Sequence, residues 1–69
     1  MTGDDLRLAR NWLKMSAYDM AARLWPGTKR KTGRVRLRRM ESGARMVSPA
    51  VENRIHDLIA ELKGLPRRQ

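Results

Sequence analysis

The residues best equipped for chemistry lie in one run, Lys-Arg-Lys-Thr-Gly-Arg-Val-Arg-Leu-Arg-Arg-Met-Glu-Ser-Gly, from Lys29 to Gly43. Seven of the eleven positions from Lys29 to Arg39 are Lys or Arg, and no acid occurs between Asp19 and Glu41. The chemistry on offer is recognition of a polyanion. The run is not uniformly polar, however. Leu37 and Met40 are three apart, which puts both on one side of a helical turn. The arginines at 34, 36, 38 and 39 must then point elsewhere. A short helix with a narrow apolar keel and a cationic outer surface fits the major groove of DNA. The plainer reading is a solvated basic face. The density of arginine without compensating acid favours the groove.

Other chemistry is thin. His56 is the sole histidine, and with no cysteine and no carboxylate cluster beside it no metal site is expected. It reads as a surface residue. Neither a glycine-rich phosphate loop nor a nucleophile elbow is present, and Ser48 is explained by helix capping. No catalytic constellation and no cofactor are expected, so the chain does not read as an enzyme.

The elements that position the basic run can be taken in order. Thr2 with Asp5 resembles a capping box, and Asp4 and Asp5 suit the positive end of a helix dipole. Leu6, Ala9 and Leu13 then form one stripe at helical spacing, with Arg10 beside it. Leu8, Trp12 and Met15 form a second apolar side, which either packs under the C-terminal segment or makes a dimer contact. Ser16 opens a second helix, with Asp19 three residues on. Met20, Ala21 and Leu24 make its buried stripe, Ala21 being small enough for a close helix crossing. Trp25-Pro26-Gly27 stops it.

Thr28 to Thr32 reads as a short basic connection. Thr32 would cap a third helix starting at Gly33 or Arg34 and ending at Ser42-Gly43, where glycine supplies the left-handed position. A start at Thr28 would leave Gly33 inside the helix at a cost of about 1 kcal/mol, so the later start is preferred. After a loop from Ala44 to Val47, Ser48-Pro49 is a strong helix start. Val51, Ile55, Leu58, Ile59 and Leu62 give that fourth helix a wide apolar face. Gly64 and Pro66 end it, and Arg67, Arg68 and Gln69 form a frayed tail. The expectation is an all-α chain of four helices.

The ordered set Arg10, Ser16, Met20-Ala21, Leu24, Leu37, Met40-Glu41-Ser42-Gly43 and Ser48 to Leu62 resembles the Cro/repressor class of helix-turn-helix proteins, the XRE family. The chain resembles small phage repressors, and phage-associated regulators use similar helix-turn-helix units. The family's first helix carries an Arg before a hydroxyl-capped second helix, matched by Arg10 and Ser16. Its second helix carries a Leu-Ala pair, matched by Met20-Ala21. Its third ends in an apolar residue, Glu, one more residue and Gly, matched by Met40 to Gly43. The resemblance implies a compact four-helix, lambda-repressor-like domain over residues 1–66, followed by the basic tail 67–69. It further implies a largely buried ion pair between Arg10 and Glu41, the alternative being Glu41 at the surface beside Arg38 or Arg45.

Aligned back from Glu41, the family's base-facing positions fall on Arg34, Val35 and Arg39. Arginine reads guanine through two hydrogen bonds. Val35 would pack on a thymine methyl or belong to the core. Arg36 and Arg38 lie to the sides and meet phosphates, as would Thr32 and Arg45. Ser16 and Ala17 would approach a phosphate through backbone N–H groups. The family often has a polar side chain such as Gln at the position of Ala17, so one backbone contact is missing here. The segment from Leu24 to Glu41 is also longer than the family's short turn and helix. The extra part includes Lys29, Arg30 and Lys31. It reads as an extended turn, either a solvated loop or a basic finger on the DNA backbone; backbone contact is favoured.

Whole-chain properties agree with a polyanionic partner. A 69-residue chain is one domain with a small core, and without cysteine it has no disulfide or thiolate metal site to staple it. The net charge is +9 and the pI about 11.5. No apolar run approaches the roughly 20 residues of a membrane span, and the acidic N-terminus is unlike a signal peptide, so a cytoplasmic protein is expected. The functional expectation is a sequence-specific double-stranded DNA-binding regulator. It would act as a repressor or autoregulator, a homodimer on an inverted repeat, with no small-molecule ligand and no membrane partner. Ile59, Leu62 and Leu65, or Leu8 and Trp12, would make the dimer surface. The alternatives are an antitoxin-like interaction module and a general nucleic-acid binder, including an RNA binder. Trp12, Tyr18 and Trp25 offer little aromatic surface for single strands.

Overall fold

The computed structural model describes residues 1–64, and among these it forms four helices and no strand. Helix α1 spans Gly3–Trp12, α2 Ala17–Leu24, α3 Arg30–Ser42 and α4 Pro49–Lys63. The expected roles of Leu65, Pro66 and the tail Arg67, Arg68 and Gln69 lie outside the described residues.

Three helix starts follow directly from their caps. The Thr2 hydroxyl accepts the Asp5 N–H at 3.1 Å while the Asp5 carboxylate accepts the Thr2 N–H at 3.0 Å, a reciprocal capping box. The Ser16 hydroxyl accepts the Asp19 N–H at 3.1 Å, and the Ser48 hydroxyl accepts the Val51 N–H at 3.3 Å ahead of Pro49. Termination is equally local. α2 stops at Trp25, before Pro26, and α3 stops at Gly43, whose φ of 85° is left-handed.

The start of α3 differs from the sequence expectation. It lies at Arg30, with Lys29 as its N-cap, so Thr32 caps nothing and Gly33 is inside the helix. The connection from α2 is only residues 25–29. The extra length read as an extended turn and a basic finger is largely an added helical turn. Gly33 explains the outcome. It is buried, and a Cβ built on it would lie 3.1 Å from the Cβ of Ala21. The missing side chain lets α3 lie close against α2, and that packing outweighs the poor helix propensity of glycine.

The core takes one completely buried large side chain from each helix: Leu6, Met20, Leu37 and Ile55. Ala9, Ala21, Leu24, Met40, Val51 and Leu58 complete it. α3 packs against α2 and α1, and α4 packs against the same two helices. At the far end of α3 the approach is closer still. A Cβ on Gly3 would fall 2.6 Å from the Glu41 carbonyl oxygen, so α1 begins directly against the C-terminal turn of α3. Of the second apolar side, Met15 packs against this core, whereas Leu8 and Trp12 stay outside it. Leu8 is 63% exposed and Trp12 49%; toward the C-terminal segment, Met15 lines a hollow with Leu62, and the Lys63 ammonium lies 5.3 Å from the Trp12 ring centre. The apolar face of α4 is narrower than its sequence suggests, since Leu62 is exposed.

Candidate nucleic-acid interface

The basic run divides by helical position. Gly33, Leu37, Met40 and Glu41 face inward. At about 100° per residue, Val35 then points almost directly outward, with Lys31, Arg38, Arg39, Thr32 and Ser42 around it. Val35 is 42% exposed, so of its two readings the core is excluded. Two shallow hollows flank it and share Val35 and Arg39. One is lined by Lys31, Thr32, Val35, Arg36, Arg39 and Arg45; the other by Arg34, Val35, Arg38, Arg39 and Ser42. No acid lines either. The arrangement can donate many hydrogen bonds to an anion while offering one small apolar contact at its centre.

Arg10 and Glu41 anchor the reverse side. Arg10 Nε donates to Glu41 Oε2 at 2.7 Å and Nη2 donates to Oε1 at 3.1 Å, a two-pronged pair. Arg10 Nη1 also donates to the Met15 carbonyl at 3.2 Å. The side chains are 15% and 6% exposed. The pair therefore ties α3 to both α1 and the α1–α2 turn, and fixes which face of α3 points outward. Glu41 is not at the surface beside Arg38 or Arg45.

Not every basic residue sits where its spacing suggests. Arg34, expected to face outward, is half-buried, and its guanidinium carbon lies 5.0 Å from the ring centre of Tyr18. Arg30 approaches the same ring at 4.6 Å. Arg36 lies to the side as expected, 5.0 Å from the ring centre of Trp25. Arg38, expected to the side, is exposed on the outer face. Lys29 and Lys31 are exposed at the start of the helix rather than on a finger. Arg45 is exposed beyond α3, held by its backbone N–H donating to the Arg39 carbonyl at 3.1 Å. Ser16 is spent on capping α2, and Ala17 packs against the core.

Tyr18 and Trp25 are the residues that sequence reasoning did not assign to this surface. Tyr18 lies in the first turn of α2 and Trp25 is its C-cap, seven residues on, and that spacing was the available signal.

Compared with known proteins, the chain matches no family model, no curated protein and no solved structure. Among the described residues no cluster of metal-ligating side chains occurs, and no helix is long and apolar enough to cross a membrane.

Proposed function

We propose that this chain is a sequence-specific regulator that binds double-stranded DNA with α3 in the major groove. In this reading α2, the turn 25–29 and α3 form a helix-turn-helix within a lambda-repressor-like domain, with α3 one turn longer at its start. The supporting observation is the acid-free outer face of α3, where Arg38, Arg39 and Lys31 surround exposed Val35. A helix with its side chains is about 10–12 Å across and the groove about 12 Å wide, so the two match.

Arg39 and Arg38 are the candidate guanine readers, each good pair of hydrogen bonds discriminating by about 1–3 kcal/mol. Val35 takes a thymine methyl. The remaining cations set position and affinity through phosphates. One such helix reads only a few base pairs, so the chain acts as a homodimer on an inverted repeat, with half-sites about one helical turn apart. Exposed Leu8, Trp12 and Leu62, on α1 and α4, supply apolar surface for pairing. Repression by occupying a promoter is the simplest action for such a unit. A single-strand binder is less well supported, because Tyr18 and Trp25 are already covered by arginines.

The test is selection from a random duplex library, followed by titration of the winner and of random duplex. One enriched, two-fold symmetric sequence bound about 10³-fold or more above random DNA is expected. Uniform retention of the library would overturn sequence recognition. Native mass spectrometry of the complex should give two chains per site.

A further inference from the structure

The outer face of α3 is bordered on both sides by arginines resting on aromatic rings. Taking Val35 as the outward direction, Arg34 and Arg30 lie about 100° and 140° to one side, and Arg36 about 100° to the other. Tyr18 carries the first two and Trp25 the third. None of the three pairs with a carboxylate among the described residues. The Nε of Arg34 is buried without a hydrogen-bond partner, so the terminal nitrogens are the ones an external acceptor would meet.

The mode of support matters. An arginine held by a carboxylate has its charge neutralised and two of its donors used. One held by a ring face is equally restrained, yet keeps its charge and its in-plane N–H edge for another acceptor. Two such groups, on opposite flanks of a helix, are spaced for two anionic strands that run on either side of it. We infer that Tyr18 and Trp25 are positioning residues that hold Arg30 with Arg34, and Arg36, as two phosphodiester clamps. Each clamp takes the backbone of one strand bordering the groove that α3 occupies. The inference rests on the DNA reading above and moves Arg34 from base recognition to the backbone.

The experiment measures duplex affinity against salt for the full chain and its variants, with folding checked by circular dichroism. Each phosphate contact contributes about −0.9 to the slope of log affinity on log salt. Arg34→Gln and Arg36→Gln should each flatten the slope by about one unit, and the double variant by about two. Tyr18→Leu keeps every charge but removes a platform. It should weaken cognate and random duplex alike, by about fivefold to tenfold, and Tyr18→Phe should restore binding. Neutral methylphosphonates placed on one strand should abolish the effect of Arg34→Gln alone, and on the other strand that of Arg36→Gln alone. Wild-type affinity and slope in folded Tyr18→Leu would overturn the clamp while leaving the DNA reading intact. Sensitivity of both arginines to the same strand would overturn the straddling arrangement. A wild-type chain with no salt-dependent duplex binding would instead defeat the DNA reading itself.

Discussion

Arg10 and Glu41, thirty-one positions apart, meet in a two-pronged ion pair that is almost sealed from water, and this contact sets the rotation of α3. Such a pair is not strongly stabilising in itself, because both charges lose hydration. Removing one partner is another matter, since it strands the other. Glu41→Ala should cost about 3 kcal/mol, a large share of the stability of so small a domain. Urea unfolding followed by circular dichroism measures it. The double variant Arg10→Met with Glu41→Leu should be less damaging than either single variant, and a simple sum of the two losses would show that the pair is not coupled.

Gly33 carries the α2–α3 packing. Gly33→Ala would gain about 1 kcal/mol of helix propensity, but its new methyl must sit 3.1 Å from that of Ala21. Ala21 has no flexible side chain to move aside, so the helices must part. Overpacking of this kind costs about 1–3 kcal/mol, so a net loss near 1 kcal/mol is expected. The melting temperature should fall by roughly 4–8 °C. Adding Ala21→Gly should recover part of it. A higher melting temperature for Gly33→Ala alone would mean that the helices separate at little cost.

These two contacts mark what was legible in the sequence. The caps at Thr2, Ser16 and Ser48, the stop at Pro26 and the ending at Gly43 are local, and each was readable from a few neighbouring residues. The Arg10–Glu41 pair was readable only through a family resemblance, because nothing local links positions 31 apart. The start of α3 was not legible because helix propensity argues against an interior glycine, whereas Gly33 leaves room for Ala21. Arg34 and Arg38 also differ from expectation, Arg34 flanking and Arg38 facing outward. The Arg10–Glu41 pair and the buried Gly33, Leu37 and Met40 set the rotation, the Tyr18 ring sets the direction of Arg34, and partners elsewhere in the chain are invisible to spacing within the run.

Arg39 and Lys31 share one hollow, yet they should behave differently on DNA. Arg39 is beside Val35 at the middle of the outer face, where base edges would lie. Arg39→Ala should therefore weaken binding to the selected site more than to random duplex, by about 1–3 kcal/mol of lost discrimination. Lys31, a turn nearer the helix start, should weaken both equally when replaced by Ala, and should flatten the salt slope by about one unit. Fluorescence anisotropy on both duplexes separates the two. Equal losses on the two duplexes for Arg39→Ala would remove it from base reading.

The capping box at the start of α1 gives a pH signature. Hydrogen bonds from the Thr2 backbone N–H, and then from its side chain, hold the Asp5 carboxyl below its ordinary value. A carboxyl with a depressed folded pKa adds stability above its unfolded value, near pH 4, and loses it as pH falls through the folded value. Melting temperature should thus fall below about pH 4, and Asp5→Asn should make that fall shallower. Melting curves from pH 6 to pH 2 for both proteins provide the comparison. Parallel curves would exclude Asp5 as a source of acid sensitivity.

The N-terminus of α3 is built against its own stability. Lys29, Arg30 and Lys31 crowd the positive end of the helix dipole, the first turn contains no acid, and no side chain caps it. Lys29 has an extended backbone, φ −56° and ψ 139°, which an aspartate cap can adopt. Lys29→Asp would supply an acceptor for the free N–H groups and relieve the repulsion, adding about 1 kcal/mol of stability. On DNA the same change places a carboxylate where a phosphate would otherwise cap the helix. Affinity for cognate and random duplex should both fall, with a shallower salt slope, while the melting temperature rises. A variant that is stabilised and binds DNA unchanged would show that this end of α3 stays clear of the phosphate backbone. One that loses both would show that Lys29 contributes to folding in a way its exposure does not reveal.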